Sequence, residues 1–560
     1  MKHERTPRST DRASTLDRRA FLRASGALGG VLAASACTRW TVAEPFDLVL
    51  ANGTLVDGSG APPRVADVAV RGDRIAAIGT FPRSSTRELL DARGLHVAPG
   101  FVDIHSHSDR EIRAVPTADS RVLQGYTCEI TGNCGGSAAP RAADGKERTE
   151  RLAVAQYLRE VEAARPSIHQ ALLVGHGTLR SNAIGDGDRR PTPEELASMV
   201  RELEEALDEG AVGLSSGLEY VPGIYTPPDE LHPLASVVAR RGRFYATHMR
   251  NEDQTLLEAI DEAIAVSRAT GVRLQVSHLK CAGRGNWTKQ DAALQRIVDA
   301  RASGLDVLAD VYPYTAYSTT LTILFPAWAR EGGNAELARR IADPALRARM
   351  RPEIVEKVGQ EPGGFELVQI ASELSGEFAP FGGKTIADVA AARNCEPVDA
   401  LLDVVAAEHG SASYIGHAMS VENVAKVLAH PLVMVGSDGY VQKLARPAGE
   451  SSNPHPRSFG TAARVLGEYC RERKALDLAS AVRKLATLPA ERAQLARRGR
   501  IERGYFADLV LFDFARVKDE TTFTEPRRKP TGIEFVFVDG VLTVRHGEHT
   551  GARSGQVLRA

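Results

Sequence analysis

Eight short apolar runs, separated by charged stretches of helical periodicity, constrain this chain more than any other feature. They are PGFVDI (99–104), YTCEIT (126–131), QALLVG (170–175), AVGLSS (211–216), FYATH (244–248), LQVSH (274–278), VLADVY (307–312) and LVMVGS (432–437). Between them, stretches such as EELASMVRELEEALDEG and TLLEAIDEAIAVSRATG carry apolar residues at helical spacing under charged outer faces. Eight strand candidates alternating with helices predict an α/β fold, a (β/α)8 TIM-like barrel. In such a barrel the chemistry collects at the carboxyl ends of the strands. Residues 313–431, between the last two runs, are out of proportion and leave room for an inserted subdomain at about 318–380.

Both ends of the chain read differently. FDLVLANGTLVDGSG and ADVAVRGDRIAAIG near the start, and ADLVLFD and IEFVFVDGVLTVRHGE near the close, alternate apolar and polar positions with turn signals. Short antiparallel strands follow. Residues 46–98 and 485–560 are therefore expected to pair into a small β-sandwich domain beside a barrel spanning 99–484.

Residues 1–40 stand outside this scheme. A basic, hydroxyl-rich leader reaches Asp17-Arg18-Arg19-Ala20-Phe21-Leu22 and runs into GALGGVLAASAC, an apolar stretch shorter than the roughly 20 residues that span a bilayer. It reads as an export signal and resembles the twin-arginine (Tat) type, with Asp17 where that type has Ser or Thr. An exported, periplasmic or cell-envelope protein is expected. Ala-Ser-Ala-Cys37 also resembles a lipoprotein cleavage site, and a lipid at Cys37 would be the chain's membrane contact. The other five cysteines (128, 134, 281, 395 and 470) are scattered and form no disulfide framework. With 70 basic against 71 acidic residues, nothing in the charge balance calls for nucleic acid.

Several strand ends carry metal-ligating side chains. His105 and His107 follow GFVDI, and with one residue between them both can face one side of an extended segment, a bidentate pair for Zn²⁺. His248 and His278 close the fifth and sixth runs; neutral imidazole is the commonest ligand side chain. Cys134, in TGNCGG, lies between glycines that allow unusual backbone angles and close approach, and a thiolate binds zinc strongly. Asp438 follows the eighth run directly, where a carboxylate can cap a helix or, beside a metal, carry a proton from water to a leaving group.

GNCG, GLSSGLEY, SHLK, DVYPY, GSDG and HPRSFGT, with TGARSGQVLR at the close, are together similar to the N-acyl-D-amino-acid deacylase (D-aminoacylase) family of the amidohydrolase superfamily. The resemblance runs from about residue 46 to the C-terminus. It implies that Cys134, His248 and His278 hold one tight zinc ion and that His105 and His107 offer a weaker second site with Cys134. It further implies Asp438 as the catalytic acid and base, and Arg457, Lys280, Tyr220 and Tyr312 as substrate-binding residues. Arg457 suits a substrate carboxylate because its planar fork matches two oxygens. Substrate and activity follow: a small N-acyl amino acid, hydrolysed to a carboxylate and a free D-amino acid by a metal-dependent amidohydrolase. Two other readings stand beside it, a cyclic-amide hydrolase of the hydantoinase or dihydroorotase kind and an exported metal-binding protein without catalysis. The lysine that bridges two metals in many relatives of the first kind has no counterpart in the fourth run, AVGLSSGLEY. His176, which closes the third run, is as readily a structural hydrogen-bonding residue as a member of the site.

Overall fold

The computed structural model describes residues 45–142, 151–446 and 449–559, so the leader and its Cys37 lie outside the described residues. All eight apolar runs form parallel strands: β1 Phe101–Asp103, β2 Tyr126–Thr131, β3 His169–Gly175, β4 Gly213–Gly217, β5 Phe244–His248, β6 Arg273–Val276, β7 Val307–Val311 and β8 Val433–Val435. They pair in sequence order. Each is buried along almost its whole length, as expected for strands sheltered on both faces. The barrel closes where β8 returns to β1: Asp438 N–H donates to the His105 carbonyl (2.8 Å) and His107 N–H to the Gly439 carbonyl (2.8 Å). Ser437 N–H donates to Asp103 Oδ1 (2.9 Å) at the same seam, and the fully buried Arg121 pairs with both Asp103 and Glu129 below it.

The surrounding helices follow from local sequence. Pro193–Asp208 starts on a capping box between Thr192 and Glu195 with Pro at its first position, and buries Met199, Leu203, Ala206 and Leu207. Leu256–Thr270 buries Leu256, Ile260, Ala263 and Ile264 and stops at Gly271, whose φ of +71° a side chain would resist. Inside the barrel, Val102, Ile104, Ile130, Ala171, Leu173, Phe244, Ala246 and Met434 pack on Leu488 and Ala490. The interior is thus filled with side chains, which leaves the carboxyl ends of the strands for chemistry.

The alternating segments at the two ends form two further sheets. One joins Phe46–Ala51, Asp67–Arg71, Arg74–Gly79 and Thr86–Asp91. The other places Leu509–Phe512, Ile533–Val538 and Val541–Arg545 beside His96–Pro99. Leu48, Leu50, Val68, Leu509, Leu511 and Phe535 share one core. Beneath the barrel, His169 at the start of β3 meets Asp508, Asp539 and Arg498. Arg498 Nη1 lies 3.0 Å from His169 Nε2 and 2.8 Å from Asp539 Oδ1, so a guanidinium already occupies the cation position of this acidic group. Between β7 and β8, Tyr317–Thr320, Ser413–Gly416 and Val368–Ile370 make a three-stranded antiparallel sheet, accompanied by the helix Pro344–Gln360. This segment supplies residues to the rim of the barrel mouth.

Candidate metal centre and substrate cavity

The strand ends bring together side chains far apart in sequence. One donor atom each from His105, Cys134, His278 and Asp438 lies within 4.8 Å of the others, and His248, Glu252 and His278 form an adjoining group. Cys134 Sγ is 3.2 Å from His105 Nε2 and 3.6 Å from His278 Nε2; His278 Nε2 is 2.9 Å from His248 Nδ1. His107 reaches the same place through Asp438, its Nε2 standing 2.9 Å from Oδ1.

The backbone bends sharply to achieve this. Cys134, His278 and Asp438 all have left-handed backbone, with φ of +53°, +33° and +54°. Each costs of order 1–3 kcal/mol for a residue with a side chain, and such strain concentrates at functional sites. Gly217, at the end of β4, lets the Cys134 loop pack down: a Cβ there would meet the Cys134 carbonyl oxygen at 2.1 Å.

Each of three imidazoles turns one nitrogen toward the cluster and the other toward a carboxylate. His105 Nδ1 is 3.2 Å from Asp310 Oδ1, His248 Nε2 is 3.1 Å from Glu219 Oε2, and His278 Nδ1 is 2.7 Å from Glu252 Oε1. Carboxylates behind imidazoles fix the tautomer and orientation of metal-binding histidines. The sequence motifs assign no role to Glu219, Glu252 or Asp310. The signal available was a carboxylate within four positions of a strand end, which becomes meaningful only once the strands are neighbours.

Charge at the centre suits a divalent cation. Burial pushes the Cys134 thiol up, but His105, with hydrogen bonds from His107 and His248, holds it well below its ordinary value. Burial likewise raises the Asp438 carboxyl, while Arg457 and then His105 and His107 hold it well below the usual range. A thiolate, imidazoles and a carboxylate facing one point are a donor set that zinc favours, so the residues present fit the ion.

The centre forms the wall of a 750 Å³ cavity lined also by Tyr220, Lys280, Arg457 and Tyr317. Lys280 is buried, pairs with Glu252 and stands 3.1 Å from His278 Nδ1. Arg457 Nη1 is 2.7 Å from Asp438 Oδ2, and its Nη2 donates to the Ser318 carbonyl. Tyr220 Oη lies 3.4 Å from His248 Nδ1 and accepts from Thr319. Tyr312 is fully buried, its ring facing the cations of Lys280 and Arg457 and its hydroxyl without a partner among the described residues. His176 pairs with Glu230 at 2.8 Å, a buried contact shared with Arg180.

Residues 88–544 match the model of the amidohydrolase family. The chain is 37% identical over 525 residues to an N-acyl-D-glutamate deacylase of Alcaligenes xylosoxydans xylosoxydans, a match covering 92% of this chain and 97% of that protein. It is 35% identical to the D-aminoacylase of the same organism, over 92% and 98% of the two chains. Its fold superposes with a TM-score of 0.78 on the crystal structure of an N-acyl-D-glutamate deacylase from Bordetella bronchiseptica, complexed with zinc and a phosphonate mimic of the tetrahedral intermediate. That match has 35% identity and covers 92% of this chain and all of the other. Likeness to an L-hydantoinase from Arthrobacter aurescens, at 18% identity and a TM-score of 0.54, is a likeness of fold alone.

Proposed function

The chain belongs to the amidohydrolase family, in the branch of the N-acyl-D-amino-acid deacylases, and from that membership we propose that it hydrolyses the linear amide of N-acyl-D-amino acids to a carboxylate and a free D-amino acid. The observation that carries this reading is the convergence of His105, Cys134, His278 and Asp438 donor atoms within 4.8 Å at the wall of a cavity that Lys280 and Arg457 also line. Cys134, His248 and His278 are the ligands of a tight zinc ion; His105 and His107 complete a weaker second site with Cys134. Zinc bound there supplies Lewis acidity toward the scissile carbonyl and activates water at neutral pH.

The chain's own residues do the rest. Asp438 Oδ1 accepts a proton from the attacking water and returns it to the departing nitrogen, and its ionised state suits the first task. Arg457 and Lys280 take the substrate α-carboxylate and align the amide, which supplies orientation before reaction. Tyr220 presents its hydroxyl beside it, whereas Tyr312, expected from the resemblance to bind substrate, lies beneath the cavity with its ring against Lys280 and Arg457. The hydantoinase alternative loses ground to the much closer deacylase relatives and to the missing lysine on β4. Retention of Asp438 beside the full donor set speaks against a binding protein without catalysis.

We also propose that the leader exports the protein to the cell envelope through a Tat-type route, with Cys37 as a site for lipid. Fusion of residues 1–40 to a reporter, with Arg18 and Arg19 replaced by lysine, tests the route; unchanged export would exclude it. The activity is tested with a panel of N-acetyl-D- and N-acetyl-L-amino acids and the zinc-loaded protein. Release of free D-amino acid is expected; ring opening of hydantoins without it would overturn the reading.

A further inference from the structure

We infer that Lys357, on the helix Pro344–Gln360 between β7 and β8, is a positioning residue for His248 and acts through Glu219. The inference rests on the reading of His248 as a zinc ligand. Its basis is a difference among the three carboxylates that orient the imidazoles. Asp310 takes its second contacts within the barrel, from Gln275 Nε2 (2.8 Å) and the His278 N–H (2.8 Å). Glu252 takes its own from Lys280, two residues beyond His278.

Glu219 is held instead by the segment between β7 and β8. Its Oε2 faces His248 Nε2 at 3.1 Å while its Oε1 faces Lys357 Nζ at 3.7 Å. Arg330, from the same segment, donates through Nη1 to the Glu219 backbone carbonyl at 2.9 Å. The carboxylate and the main chain of one residue are thus gripped by two cations of one segment.

Lys357 also lies 2.7 Å from Asp253 Oδ2 and 3.1 Å from Glu361 Oε2. Among the described residues it is the one lysine or arginine in ion-pair contact with any of these three buried carboxylates. Burial raises the Glu361 carboxyl to about 8, so at neutral pH it stays protonated on Asp253, and loss of Lys357 would leave Glu219 and Asp253 without a counter-charge in a medium of low dielectric. Taking up a proton or turning away would relieve it, and either weakens the hold of Oε2 on the His248 ring. Zinc retention at the centre is therefore coupled to the seating of a helix outside the barrel.

The test is a cycle in the full-length protein, with zinc affinity measured by competition with a chromophoric chelator and apo-protein melting measured alongside. Lys357→Met and Glu219→Gln should each weaken zinc about ten- to hundredfold. The double variant should be no weaker than Glu219→Gln alone, because one acts through the other. Lys357→Arg should restore affinity. If Lys357→Met does not fold, Lys357→Gln keeps a polar tip for Asp253 and Glu361 without the charge, and the same loss is expected. Affinity within about twofold of wild type, or losses that multiply in the double variant, would overturn the inference. Failure of the wild type itself to bind zinc would instead overturn the ligand reading and this inference with it.

Discussion

Cys134 Sγ lies 3.6 Å from His278 Nε2 although 144 positions separate the two residues. Only closure of the barrel makes them neighbours, and only left-handed backbone at both aims them at each other. Cys134→Ser replaces a soft thiolate by a poorly acidic hydroxyl in the same place. Zinc affinity should fall by at least about a hundredfold, read by chelator competition, while the apo protein keeps its melting point. Unchanged affinity would remove the sulfur from the centre.

Asp438→Asn separates proton transfer from metal binding. Asparagine tolerates the +54° φ of this position, so the loop should keep its shape. Zinc content should stay near that of wild type while kcat falls roughly 10²- to 10⁴-fold. Near-normal turnover would exclude Asp438 as the proton carrier.

Arg457 is read through its substrate. Arg457→Lys keeps a charge but loses the planar fork, and selectivity for an N-acetyl-D-amino acid over its primary amide should drop about tenfold or more in kcat/KM. Because Arg457 also pairs with Asp438, kcat alone is an ambiguous readout. The ratio of the two substrates cancels that effect. An unchanged ratio would place the carboxylate elsewhere.

A pH effect is expected far from the centre. Lys484 donates from Nζ to the carbonyls of His430 and Val433 at the start of β8 and is 4% exposed. Burial, with Arg483 beside it, pushes its amine down to about 7 from 10.5. Between those values the unfolded chain binds a proton that the folded chain does not, so stability rises with pH across the window. Relative to Lys484→Met, wild type should gain on going from about pH 6 to about pH 10, by up to on the order of 4 kcal/mol in denaturant titrations. A difference constant with pH would contradict the assignment.

Much of this was legible before the fold was known. The apolar runs were long enough and regular enough to mark all eight barrel strands, and the histidines and Asp438 announced themselves by closing or directly following such runs. Cys134 was legible through its glycine neighbours, one of which, Gly135, does adopt a φ of +76°. The supporting partners were not. Asp310, Glu219 and Glu252 lie on three different strands or loops, and nothing local ties Glu219 to His248 rather than to solvent. Lys357 is further removed, on a helix whose charged face reads as an ordinary surface. The depth of Tyr312 was equally hidden, since an apolar run ending in Tyr does not say whether the ring lines the cavity or lies under it.

Zinc-edge X-ray absorption of the protein loaded with one equivalent of metal tests the account most directly. One sulfur at about 2.3 Å and imidazole nitrogens at about 2.0–2.1 Å are expected, with the sulfur lost in Cys134→Ser. A first shell of nitrogen and oxygen alone in the wild type would contradict it.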